Sequence, residues 1–130
     1  LLTYPGVPSI YAGDEIGLEG GWGEDGRRTI DWSKENWDQE FLCEVQKLVH
    51  IRRKSDALAH GGLRWVLIED EILAFTRESK REALLIVVSR SAQKISFKDL
   101  PAVKESLYGV KMKNNVYKSS GPSIGIYRIS

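Results

Sequence analysis

The chain has 130 residues and carries 19 lysines and arginines against 18 aspartates and glutamates, giving a net charge of +1. Because the positive and negative charges are nearly equal in number, there is no electrostatic reason to expect a nucleic acid or an anionic membrane as a partner. Hydrophobic residues make up 42% of the chain, enough for one domain or a domain with part of its neighbour. No apolar run approaches the roughly 20 residues of a membrane helix, and no signal peptide is visible.

The few cysteine and histidine residues predict neither a disulfide nor a metal site. Cys43 is the single cysteine, which favours a reducing, cytoplasmic compartment. His50 and His60 have no further His, Cys or carboxylate at metal-ligand spacing, so we expect neither a metal nor a cofactor. The chain opens on Leu1 rather than Met, and we expect it to be a fragment of a longer protein.

The first half of the chain predicts a strand, a loop and a helix. Residues 7–11 are apolar and lie between a Pro-Gly turn and Gly13, which indicates a short buried strand. Residues 14–36 are rich in Gly, Trp and charge without an apolar period, and predict a long loop. A helix is predicted over residues 37–55, with Asn36 as its N-cap, an apolar stripe at helical spacing and a basic last turn.

The second half predicts β-structure. Seven short segments rich in branched and aromatic residues alternate with turns, at 65–68, 72–77, 83–89, 94–97, 107–111, 116–118 and 123–129. About seven strands at this spacing favour an antiparallel β-sandwich. We expect four aromatic side chains in its core: Trp65, Phe75, Phe97 and Tyr127. The fold class is therefore α+β, mainly β.

A lone strand and an amphipathic helix cannot bury themselves, so residues 1–60 are interpreted as the last βα unit of a larger α/β structure. If that structure is a (β/α)₈ barrel, the end of the strand faces the active site, and Asp14 and Glu15 stand near the substrate. The alternative, which we favour, is that both carboxylates anchor the loop. Sequence neighbours point in different directions, so we do not expect an acid–base pair.

Two motifs resemble the α-amylase family of glycoside hydrolases. Residues 5–17, PGVPSIYAGDEIG, resemble its eighth barrel strand, P-G-x-P-x-I-Y-Y-G-D-E-I-G, with Ala12 replacing the second tyrosine. Residues 24–32, EDGRRTIDW, resemble the following loop of the neopullulanase, cyclomaltodextrinase and α-glucosidase branch, D-P-x-x-R-R-P-M-x-W, without its proline. The end of the helix, through Leu58, resembles the family's L-x-x-L-R-R-x-x-x-A-L.

The resemblance implies that residues 1–60 are the last strand and helix of a (β/α)₈ barrel and that residues 61–130 are an antiparallel C-terminal domain. It also implies retaining hydrolysis or transglycosylation of α-glucans by two carboxylates. In the family these follow the fourth and fifth strands, with a further aspartate after the seventh. All three lie upstream of this chain, so no catalytic residue is assigned. The chain is expected to be inactive alone and to support the missing N-terminal barrel.

The loop offers candidate substrate contacts. Trp22 and Trp32 are suited to stacking on a sugar ring, and Asp25, Arg27 and Arg28 to bonding its hydroxyls. The alternative is that the arginine pairs with an aspartate of the same loop and that the indoles hold the loop on the barrel. Both readings remain open for Trp22 and Asp25, while the structural one is favoured for Trp32.

Two other functions remain open. A stand-alone carbohydrate-binding module would grip a glucan with exposed aromatics, but would not need the preceding strand and helix. A self-association module would cover the apolar stripe at 41–49, which is exposed unless it packs on the sandwich or on a second copy.

Overall fold

The structure, a computed structural model, describes residues 1–23 and 28–129. Before residue 39 the described chain is largely irregular, with 3-10 turns at Asp14–Ile16 and Lys34–Asn36. Two α-helices and seven strands follow in the described part: α1 Gln39–Lys54, α2 Asp56–His60, β1 Gly62–Glu69, β2 Ile72–Glu78, β3 Ala83–Ser89, β4 Gln93–Ser96, β5 Glu105–Gly109, β6 Val116–Ser119 and β7 Ser123–Arg128. The prediction of a helix followed by seven strands is confirmed.

The strands form a five-stranded sheet and a two-stranded ribbon. The sheet has the order β1-β2-β3-β7-β5, β4 pairs with β6 in the ribbon, and every pairing is antiparallel. The antiparallel, mainly β character is therefore as predicted. In the expected sandwich, the two-stranded ribbon is the only second β-layer and covers one face of the sheet. The two α-helices cover the other face.

Strand β3 lies at the centre of both hydrophobic cores. Its side chains alternate between the two faces, as in any strand. Leu85 and Val87 belong to the cluster that includes the ribbon residue Tyr117, whereas Leu84 and Ile86 belong to the cluster that includes helix α2. All four are at most 1% exposed. The unbroken apolar run of this strand follows from burial on both faces.

Helix α1 starts later than its sequence predicts. The side chain of Asp38, not Asn36, caps the helix by accepting from the backbone N–H of Phe41 at 2.8 Å. A carboxylate at this position also interacts favourably with the helix dipole. Asn36 lies in the preceding 3-10 turn. No helix in the described part of the chain is both long and apolar enough to cross a membrane.

The strand predicted over residues 7–11 is not formed. This stretch pairs with no strand of the described structure, and Val7 is 96% exposed. A strand is maintained by hydrogen bonds to a neighbouring strand, and the apolar pattern of the sequence carries no information about whether that neighbour is present.

Three of the four predicted core aromatics are buried. Phe75, Phe97 and Tyr127 are at most 5% exposed, but Trp65 is 41% exposed. Trp65 lies beside a bulge on the edge strand β1, and its ring contacts Tyr4 and Phe75. The prediction for Trp65 is wrong because alternation along a strand does not reveal whether an edge strand has a covering layer.

Helix α1 is attached to the sheet through side chains, although none of its residues is fully buried. Leu48 and Ile51 pack against the cluster that contains α2. The hydroxyl of Tyr108 on β5 donates to the carboxylate of Glu44, which also accepts from Lys47 at 2.7 Å. Hydrogen bonds from Lys47 and then Tyr108 lower the pKa of Glu44. Burial and then Glu44 raise the pKa of Tyr108 to about 12.

We expect Gly125→Ala to destabilise the fold by about 1–3 kcal/mol, the usual cost of overpacking. Gly125 and Tyr127 share one face of β7, and an added Cβ would overlap the Tyr127 hydroxyl, which donates to the Val110 carbonyl at 2.5 Å. Urea unfolding measures the loss. Gly62→Ala on β1 is the control, because its Cβ would meet open space. Equal stability of the two variants would contradict this packing.

We expect Tyr108→Phe to lower the free energy of unfolding at about pH 7, with a smaller loss at about pH 3. The pKa of Glu44 is lower in the folded chain than its ordinary 4.5. The hydrogen bond from Tyr108 to the ionised Glu44 carboxylate therefore stabilises the fold at pH values above that ordinary pKa. Its contribution disappears as the pH falls through the lowered pKa of the folded chain. Urea unfolding at both pH values tests this. In a Glu44→Gln background, the effect of Tyr108→Phe should no longer depend on acid pH.

Candidate functional site

The first candidate carboxylates lie in a tight turn. Asp14–Ile16 forms a 3-10 turn between Gly13 and Gly17, whose φ angles of 102° and 70° lie in the left-handed region that favours glycine. The Glu15 carboxylate accepts from the Gly13 backbone N–H at 2.9 Å. This bond joins Glu15 to the backbone of its own turn, as loop anchoring requires, and it occupies one of the two carboxylate oxygens.

The turn is docked on the start of helix α1. The backbone N–H of Asp38 donates to the Ile16 carbonyl at 3.0 Å, and the Ile16 side chain is buried. Gly17 lies so close to Asp38 that a Cβ there would come within 3.2 Å of the aspartate Cβ. The N-cap residue of α1 thus fixes the position of Asp14 and Glu15 as well as the start of the helix.

Beyond the turn, Asp31 organises the distal part of the loop. Its carboxylate accepts from the Ser33 backbone N–H at 2.9 Å and from the Asn36 side chain at 2.7 Å. Its backbone carbonyl accepts from the Trp37 indole at 2.6 Å. The hydrogen bonds from Ser33 and then Asn36 lower the pKa of Asp31. Asp31 therefore acts on the shape of its own loop.

The candidate sugar-contacting residues are exposed where they are described. Trp22 is fully exposed and Trp32 is 76% exposed, with its ring 6.4 Å from that of Trp37 at an interplanar angle of 60°. Arg28 donates to the Glu19 carbonyl at 3.2 Å. Asp25 and Arg27 lie outside the described residues. Trp37 was not singled out by the sequence, since a lone tryptophan before a helix carries no distinctive pattern.

Two cavities lie between the N-terminal segment and α1. One of about 520 Å³ is bordered by Asp14 and Glu15 and by the apolar side chains of Leu18, Phe41 and Val45. Another of about 780 Å³ continues along the helix past Val45 and exposes its apolar side. The smaller cavity has apolar walls with two carboxylates at one end, whereas the larger one is also lined by polar and basic side chains of α1, among them His50 and Arg53.

Metal-binding groups are not gathered here. Within residues 1–23 and 28–129 there is no group of three or more His, Cys, Asp or Glu side chains that could hold a metal ion. The free thiol of Cys43 is exposed on α1.

Two arginines with a clear structural role were not identified from the sequence. Arg52 was interpreted only as part of a basic helix end, and Arg77 only as the end of a strand. Both donate to backbone carbonyls of the N-terminal segment. The only available signal for Arg77 was an arginine within an apolar strand, where a buried charge requires several acceptors.

Comparison with known proteins identifies relatives over most of the chain. No family model matches. The chain is 35% identical to a maltogenic α-amylase of Bacillus acidopullulyticus over 101 residues, which is 75% of this chain and 17% of the relative. It is 32% identical to a cyclomaltodextrinase of Thermoanaerobacter pseudethanolicus over 113 residues, or 86% of this chain and 19% of the relative.

The fold also matches a solved enzyme structure. A debranching enzyme from Nostoc punctiforme superposes with a TM-score of 0.84 at 29% identity, covering 98% of this chain and 29% of the enzyme. The chain spans less than a fifth of the length of the maltogenic α-amylase and of the cyclomaltodextrinase. The match includes the irregular segment and helices as well as the sheet. The chain is therefore homologous to one part of the α-amylase-family glycoside hydrolases.

Proposed function

We propose that this chain is the C-terminal part of a glycoside hydrolase that acts on α-glucans. In this proposal the chain supports the folding and stability of the catalytic domain and has no hydrolytic activity of its own. The observation that carries the proposal is the extent of the match: 86% of the chain aligns with 19% of a cyclomaltodextrinase. The remaining four-fifths of such an enzyme would hold the catalytic carboxylates.

The proposed division of the chain places residues 1–60 at the end of a (β/α)₈ barrel and residues 61–130 in a C-terminal domain. Two uncovered surfaces support it. Residues 7–11 have no paired strand in the described structure, and the apolar side of α1 contains no fully buried residue. A barrel would supply a neighbouring strand to the first surface and apolar side chains to the second. The proposed partner of this chain is therefore the N-terminal catalytic barrel.

The loop that follows residue 13 would then border the active site of the parent enzyme. In that position Trp22 and Arg28 would contact the glucan, with Asp25 and Arg27 in the same loop. An exposed indole stacks readily on the apolar face of a sugar, and a guanidinium donates to hydroxyls in a fixed geometry. Asp14 and Glu15 would hold the loop in place rather than act on the glycosidic bond. We propose a cytoplasmic location for the parent, in line with the single cysteine of this chain.

We expect the purified 130-residue chain to leave a chromogenic maltooligosaccharide intact, because the carboxylates of a retaining mechanism lie outside it. The measurement compares release of the chromophore with a buffer control. Mixing the chain with the separately produced remainder of the parent enzyme should restore turnover. Turnover by the chain alone would overturn the proposal.

Tryptophan fluorescence with added maltodextrins separates this function from a stand-alone carbohydrate-binding module. We expect no saturable change for the isolated chain, because an exposed indole such as that of Trp22 binds sugar weakly without the rest of the active site. A saturable change that Trp22→Ala or Trp65→Ala abolishes would instead favour the module. Trp65 is included because it is a partly exposed tryptophan on the sheet.

We propose that the isolated chain self-associates through the apolar side of α1 when the barrel is absent. Light scattering across a tenfold dilution series should show a mass that falls with dilution. Val45→Lys, which places a charge on that side, should shift the chain to monomer. Cys43→Lys adds the same charge at an exposed position two residues away and should leave association unchanged. A monomer at every concentration would contradict self-association.

A further inference from the structure

One guanidinium holds the start of the chain to helix α1. Arg52, in the last turn of α1, donates from Nη1 to the carbonyls of Leu2 at 3.2 Å and Tyr4 at 2.8 Å. Its Nη2 donates to the carbonyl of Gly6 at 2.5 Å. Three carbonyls spread over five residues thus converge on one side chain. A guanidinium suits this task because its donors point in several fixed directions.

A second guanidinium holds the same segment to the sheet. Arg77 on β2 is 1% exposed and donates from Nη1 to the Thr3 carbonyl at 2.8 Å. Its Nη2 donates to the carbonyls of Leu58 at 3.0 Å and Gly61 at 2.8 Å, where α2 leads into β1. Arg77 therefore joins three separate parts of the chain: the N-terminal segment, the end of the helices and the second strand.

Neither guanidinium has a carboxylate partner within residues 1–23 and 28–129. Burial and then Arg52 lower the pKa of Arg77, so the two cations also repel each other. A buried charge without a counter-ion is costly unless hydrogen bonds compensate. In this segment the Thr3 carbonyl accepts from the buried Arg77, and the carbonyls of residues 2, 4 and 6 accept from the half-buried Arg52. The position of the segment is therefore coupled to both arginines.

The segment leads directly to the candidate site. Tyr4 adds ring contacts to the sheet, with centroids 6.0 Å from Phe75 and 6.4 Å from Trp65. After Gly6 the chain is exposed through residue 11 except at the half-buried Pro8, and the Asp14–Ile16 turn is docked on the N-terminus of α1. Residues 7–12 thus connect two anchored points, one at each end of the same helix.

We propose that Arg52 and Arg77 are positioning residues that lock residues 2–6 across the junction of α1 and the sheet. This lock sets the position of residues 7–12 and, together with the Asp38 contact, that of residues 13–18. The inference deepens the proposed function, because it names the side chains through which the β domain would orient the loop beside the barrel. The contacts themselves lie within this chain, so their test does not depend on the activity of the parent.

NMR relaxation of the ¹⁵N-labelled chain tests the lock. In the wild type, backbone order parameters at residues 2–6 should be those of a rigid backbone, about 0.85. In Arg52→Met they should fall below about 0.6, with a smaller decrease over residues 13–18 and no change in β2 and β3. Cross-peaks between the Tyr4 and Phe75 rings should weaken in the same variant. Arg53→Met is the control, because it removes an exposed arginine from the next position of the helix.

The variants distinguish positioning from general stability. Arg52→Lys keeps the charge on a single nitrogen and should restore only part of the order, since one ammonium replaces the two nitrogens that separately reach Leu2 and Gly6. Arg77→Lys, once shown to be folded by circular dichroism, should loosen residues 2–6 while β2 stays ordered. Rigid residues 2–6 in Arg52→Met would overturn the proposal. Loosening of residues 2–6 with unchanged residues 13–18 would overturn the part that concerns the loop.

Discussion

The burial of β3 on both faces is the constraint on which the rest of the structure depends. Leu84 and Ile86 point to one side and Leu85 and Val87 to the other, so the sheet needs a cover on each side. The β4–β6 ribbon covers one face, and α2 together with Leu48 and Ile51 of α1 covers the other. The helices therefore share a hydrophobic core with the sheet and contribute to its stability, although the sequence motifs assign them to a preceding domain.

This attachment gives α1 two separate roles. Its sheet-facing side chains contribute to a core, while the side that includes Val45 borders open cavities. A helix in contact with one layer only is a natural junction between that layer and another. The polar contacts fit the same view, since Glu44 holds Tyr108 of β5, Asp38 holds the site turn and Arg52 holds the first residues of the chain.

Local patterns predicted the regular elements well and the environments less well. The seven strands and the helix follow from composition and periodicity, which act over a few neighbouring residues. The N-cap was assigned to Asn36 instead of Asp38, because either side chain can cap and only the real helix start decides between them. The predictions of a buried Trp65 and of a strand at residues 7–11 are wrong for a different reason. Their burial depends on a covering layer or a neighbouring strand, which alternation cannot reveal.

The candidate site was predictable in its location and less so in its chemistry. The two carboxylates that follow Gly13 mark the turn in the sequence, but their role is visible only in the structure. There Glu15 accepts a hydrogen bond from the Gly13 backbone N–H, and Asp31 accepts one from the Ser33 backbone N–H. These hydrogen bonds of Glu15 and Asp31 are directed at the loop itself. Under the proposed function, the loop would present Trp22 and Arg28 to the glucan. Bond cleavage would then be performed by carboxylates outside this chain.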